Sequence, residues 1–71
     1  MSELVKRSFT LTRHRTSVAL EAAFWEVLEQ AACARGQSLL ALVTEADAAR
    51  DPRTGLASAL RLLALTAAAR R

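Results

Sequence analysis

Apolar and polar positions change period twice along this chain. From Arg15 to Leu20 they alternate, with Thr16, Val18 and Leu20 on one parity and Arg15, Ser17 and Ala19 on the other. Alternation with β-branched residues on the apolar parity predicts a half-buried strand whose successive side chains point to opposite faces. Val18 and Leu20 then turn to the core with Thr16, and Arg15, Ser17 and Ala19 share the outward face. After Leu20 the period lengthens. Phe24, Leu28, Ala31 and Ala32, with Trp25 beside them, recur at helical spacing, while Glu21, Glu26, Glu29 and Gln30 fall mostly off that stripe. Glu21 complements the helix dipole at the start and Arg35-Gly36 is a stop signal, which predicts a helix over about 22–35. Ser38 is the predicted N-cap of a second helix running from Leu39 to about Arg50, with Leu39, Leu42, Val43 and Ala46 as its apolar stripe. Asp51-Pro52-Arg53-Thr54-Gly55 reads as a loop, because Pro disfavours helix at the residue before it. A third helix is predicted from about Leu56 to Ala69, with Leu60 and Leu63 on one face and Leu62 and Leu65 on another.

A single strand cannot stand alone, since its backbone donors and acceptors need partners. Residues 5–11 could supply one within the chain, because Val5, Phe9 and Leu11 share a parity. Arg7 interrupts that parity, however, and Thr12-Arg13-His14 lacks the Asn-Gly or Asp-Gly of a tight hairpin. The stronger candidate is the same strand of a second copy, paired about a two-fold axis. The expected class is therefore mostly α with one short β-strand, completed as an intermolecular antiparallel ribbon.

Length supports a second copy. A chain of 71 residues, 52% of them apolar, forms one domain, and domains this small normally need disulfides, a metal or a partner subunit. Cys33 has no partner in the chain, and with His14 it falls short of the four ligands of a structural zinc site. An obligate homo-oligomer with no metal and no cofactor is expected. No signal peptide is expected at Met1-Ser2-Glu3, so the cytoplasm is the expected compartment. No membrane span is expected either, because Leu56 to Ala69 is broken by Arg61 and is shorter than the roughly 20 residues that cross a bilayer. An enzyme is the poorest class. No carboxylate and base are paired at a plausible site, and no glycine loop resembles a phosphate cradle.

The net charge of +3 is segregated. Residues 1–20 hold Lys6, Arg7, Arg13 and Arg15 against Glu3; residues 21–51 are acidic on balance; and Arg53, Arg61, Arg70 and Arg71 follow with no acid. A basic arm is the footprint of a protein that meets a polyanion through its N-terminal region, although a solvated basic end has the same composition.

The ordered set of Thr16-Ser17-Val18-Ala19-Leu20-Glu21, Phe24-Trp25, Leu28, Gly36-Gln37-Ser38, and Leu39, Leu42 and Val43 resembles the ribbon-helix-helix DNA-binding proteins. With Lys6-Arg7-Ser8, His14-Arg15-Thr16-Ser17-Val18 and Gly55-Leu56-Ala57-Ser58-Ala59-Leu60-Arg61, it looks like a short bacterial group of that family carrying an extra C-terminal helix. In that group a Pro often starts the first helix where Ala22 stands. The resemblance implies a homodimer whose ribbon enters the DNA major groove while the start of the second helix touches a phosphate.

Residues 1–14 would then be a basic arm, 15–50 the ribbon-helix-helix core, and 51–71 a loop and C-terminal helix. Arg15 would donate two hydrogen bonds to guanine, Ser17 would bond to several bases, and Ala19 would make apolar contact, as with a thymine methyl. Lys6, Arg7, Arg13 and His14 would neutralise phosphates, and the Leu39 and Leu40 amides after Ser38 would present a helix terminus to another. Val18, Leu20, Phe24, Trp25, Leu28, Leu42 and Val43 would form the core and dimer contacts. The competing assignments are a solvated Arg15 or one paired with Glu21, and a Ser17 that is merely exposed. The third helix is expected to pack on another subunit or a neighbouring dimer, with a protein partner or a lipid layer as the other occupants. The expected function is a transcriptional regulator, most simply a repressor, that binds double-stranded DNA. The alternative is an interaction module or antitoxin-like adaptor on the same fold.

Overall fold

A computed structural model of the chain describes residues 3–12 and 14–70. Two strands, β1 (Leu4–Thr10) and β2 (Arg15–Glu21), are followed by three helices, α1 (Ala22–Ala34), α2 (Leu39–Ala49) and α3 (Leu56–Ala69). The strands form an antiparallel hairpin with Thr10 opposite Arg15, Ser8 opposite Ser17 and Leu4 opposite Glu21.

The chain thus supplies two strands where alternation alone predicts one, and the partner of β2 within it is the segment whose parity Arg7 interrupts. The reason is non-local. Arg7 lies on the inward parity, but its guanidinium sits 5.2 Å from the centre of the Trp25 ring and pairs with Glu29 at 2.5 Å. Its stem covers apolar surface while its charge is answered by an acid on α1. The tight-turn objection fails as well. A four-residue connection, closed by the Leu11 N–H donating to the His14 carbonyl at 2.8 Å, joins the strands without Gly, and Leu11 is buried beneath it.

Local chemistry sets the helix limits. Gly36 adopts φ 66°, and α1 closes with the Gly36 N–H donating to Cys33 and the Gln37 N–H to Ala32, both at 3.0 Å. That pair of bonds is the Schellman motif, which suits glycine because a left-handed residue with a Cβ is strained. Ser38 caps α2 as its type predicts, its Oγ accepting from the Ala41 N–H at 3.0 Å. Helix α2 ends at Ala49, with Arg50 as its C-cap, ahead of Asp51-Pro52, and Asp51 folds the loop, its carboxylate accepting from the Arg53 N–H at 2.8 Å.

Val18 and Leu20 of β2, Trp25, Leu28 and Ala32 of α1, Leu42 and Val43 of α2, and Leu60 and Ala64 of α3 form one buried cluster. Phe24 packs at its margin, partly buried. The third helix therefore belongs to the core of its own chain through Leu60 and Ala64, while Leu62 and Leu65 remain 62% and 60% exposed. No described helix is long and apolar enough to cross a membrane.

Because Leu60 is fully buried, Leu60→Ala is expected to destabilise the chain by about 2–5 kcal/mol, the range for emptying a leucine site. Ending the chain at Asp51 should abolish cooperative unfolding. Urea denaturation followed by circular dichroism checks both, and a truncated chain that unfolds like the full one would remove α3 from the core.

Candidate nucleic-acid interface

Residues directly opposite in an antiparallel pair put their side chains on the same face. The register therefore sorts the hairpin into two rows. Val5, Arg7 and Phe9 of β1 lie with Thr16, Val18 and Leu20 of β2, and this face packs on α1. The Trp25 Nε1–H donates to the Val5 carbonyl at 2.8 Å, and the Phe9 ring centre lies 5.8 Å from that of Trp25. The opposite face carries Leu4, Lys6, Ser8 and Thr10 beside Arg15, Ser17, Ala19 and Glu21. All of these are exposed except Ala19 and Glu21, which are partly so. Ser8 and Ser17 share a hydrogen bond between their hydroxyls at 3.0 Å.

Arg15, Ser17 and Ala19 thus stand together on one outward row, as alternation requires. Lys6 joins them. Arg7 does not, being turned inward onto Trp25 and Glu29. His14 is exposed in the connection, and Arg13 lies outside the described residues. Ser8 and Thr10 complete the face; their parity was readable in the sequence, but only once a strand was recognised there.

Ion pairing separates the cations further. Arg7 pairs with Glu29, Arg50 with Asp47, Arg53 with Asp51, and Arg61 with Glu21. The acid that could have neutralised Arg15 is engaged elsewhere: Arg61 donates to Glu21 at 3.2 Å and lies 5.7 Å from the centre of the Phe24 ring. Lys6 and Arg15, and away from the hairpin Arg35 and Arg70, have no acid within ion-pair distance among the described residues. Beyond the Leu4–Glu21 end, the outer face is therefore a polar surface with two uncompensated charges and three hydroxyls, able to donate to phosphates and base edges.

The Leu11–His14 bond marks those two residues as a hydrogen-bonded pair. By the alternation of antiparallel ladders, the N–H and C=O groups of Arg15, Ser17 and Ala19 then point to the edge of β2 away from β1. Among the described residues no third strand occupies that edge. The start of α2 is a separate feature. Leu39 and Leu40, as its first residues, have no intrahelical acceptor for their amides, but the connection after β1 borders Thr44, Asp47 and Ala48, further along the helix. Within one chain, Ser38 and Leu39 are not gathered with the hairpin turn. Trp25 is buried, and Cys33 is exposed on α1. No cluster of three or more metal-ligating side chains occurs among the described residues.

The family model described as a ribbon-helix-helix domain matches residues 4–68 of this chain. No curated protein and no solved structure matches it significantly.

The Glu21 carboxylate accepts from its own backbone N–H and from Arg61, and these bonds hold its carboxyl below the ordinary value of 4.5. A depressed folded value stabilises the fold above the unfolded value, and that contribution disappears as pH falls through the folded one. Glu21→Gln should therefore lower the melting temperature at pH 7, and the gap from the unchanged chain should close on acidification below 4.5. Thermal unfolding across that range checks it; a gap that persists at low pH would mean the pair does not carry the effect.

Proposed function

We propose that this chain, which belongs to the ribbon-helix-helix family, is a DNA-binding transcriptional regulator, acting as a repressor, that docks the outer face of its sheet in the major groove. Ribbon-helix-helix proteins generally bind DNA as dimers. The observation that carries the proposal is the placement of charge: four arginines are each tied to an acid, Arg35 and Arg70 stand at the ends of α1 and α3, and Lys6 and Arg15 stand uncompensated together on one exposed strand face.

The dimer forms through the open edge of β2. Pairing there must join residues of like parity, because a slip of one residue would turn Val18 and Leu20 outward. The surface supports a second subunit: the chain exposes 4931 Å², against about 4300 Å² expected for a monomeric protein of 7.7 kDa. Arg15 reads guanine, Ser17 bonds to bases, and Ala19 contacts a thymine methyl. Lys6, Arg13, His14 and the Leu39 amide position the protein on phosphates, with Ser38 fixing the helix end. The protein acts in the bacterial cytoplasm and carries out no catalysis. A second reading, an interaction module or antitoxin-like adaptor, is favoured by one feature, the exposure of Leu62 and Leu65 on α3.

The test is a titration of the purified chain onto duplexes of random sequence and of its own promoter at several salt concentrations. With about six phosphates neutralised per dimer, log K should fall with log salt at a slope of about −5. Arg15→Ala should remove about 1–3 kcal/mol of preference for the promoter. A slope near zero would contradict the proposal, and capture of a protein partner through α3 would favour the second reading.

A further inference from the structure

We propose that the DNA-facing surface of the dimer is a four-stranded sheet, β1–β2–β2–β1 across the two-fold, in which the β1 strands lie over the groove walls. Lys6, Ser8 and Thr10 then bind phosphates. The inference rests on the DNA-binding reading above and adds to it a division of labour between the two strands.

It follows from the two edges of β2. One is occupied along its length by β1 of the same chain, and the other has no strand on it among the described residues, so β2 can pair with its copy without displacing β1. Strands in a sheet lie about 4.8 Å apart, which puts the two β1 axes of such a sheet about 14 Å from each other. The major groove is about 12 Å wide and admits two strands. The central β2 pair therefore enters, and the flanking strands meet the sugar–phosphate rims. Chemistry agrees with position. Beyond Leu4 at its end, the β1 row is one cation and two hydroxyls, Lys6, Ser8 and Thr10, all exposed and on the same face as Arg15. Such groups donate to phosphate oxygens without distinguishing bases. Ser8 has a further task, since its hydroxyl bond to Ser17 holds that side chain in place. Substitutions at Thr10 and Lys6 therefore separate phosphate binding from readout better than one at Ser8.

The experiment compares the full-length chain with Thr10→Val and Lys6→Gln, each first shown by thermal unfolding to be folded. Each is titrated onto random-sequence duplexes at several salt concentrations, and its preferred bases are found by selection from a randomised pool. Both variants should bind every duplex several-fold more weakly, by the same factor on each, with preferred bases unchanged. Lys6→Gln should also make the salt slope shallower by about two, one contact from each subunit. Altered base preference in either variant would place β1 inside the groove and overturn the proposal. Wild-type affinity and slope in both would overturn it too. Failure of the DNA-binding reading itself looks different: the unmodified chain would then show no salt-dependent binding.

Discussion

The orientation of the hairpin depends on Trp25. Its buried indole meets three successive inward positions of β1: its N–H bonds the Val5 carbonyl, the Arg7 guanidinium lies over its ring, and the Phe9 ring packs beside it. A buried indole N–H without a partner would cost about 1–3 kcal/mol, so the bond to Val5 fixes where the strand can lie. Once Val5, Arg7 and Phe9 face α1, the pleat leaves Lys6, Ser8 and Thr10 one direction only, outward. The composition of the exposed face is thus a consequence of what one side chain of α1 holds beneath it.

A second constraint acts at the far end of β2. Glu21 joins the strand to α1, and Arg61 reaches it from α3, forty residues away, while lying over the Phe24 ring. This contact helps seat α3 on its own chain and occupies the acid nearest to the reading row in sequence. Acids on the helices and in the loop neutralise the other paired arginines. Arg35 and Arg70 also stay unpaired, but at the ends of α1 and α3; on the hairpin's outer face Lys6 and Arg15 stay charged together, with the one carboxylate of that face, Glu21, already engaged by Arg61.

Much of this was legible in the sequence because it is decided locally. Gly36 and Ser38 bracket the turn between the first two helices for reasons their own chemistry supplies, and Asp51-Pro52 ends the second. The third helix starts at Leu56 and ends at Ala69 as its pattern predicts. Alternation from Arg15 to Leu20 assigned Arg15, Ser17 and Ala19 to one face without any knowledge of the partner strand. Strand β1 was hidden because its one discordant residue, Arg7, is compensated by Trp25 and Glu29, which no local rule connects to it. For the same reason Arg7 looked equivalent to Lys6, although the two lie on opposite faces. The leucines of α3 covered more than one face, and only packing shows that Leu60 points inward while Leu62 and Leu65 do not.

The central claim is that the outer face of the hairpin is the surface that meets DNA. Amide chemical-shift mapping of the full-length chain during titration with a short duplex tests it most directly. The account predicts that the largest shifts fall on residues 6–19 and at the start of α2 around Leu39, with α3 little changed. Shifts concentrated on α3 around Leu62 and Leu65, with the hairpin unmoved, would contradict it.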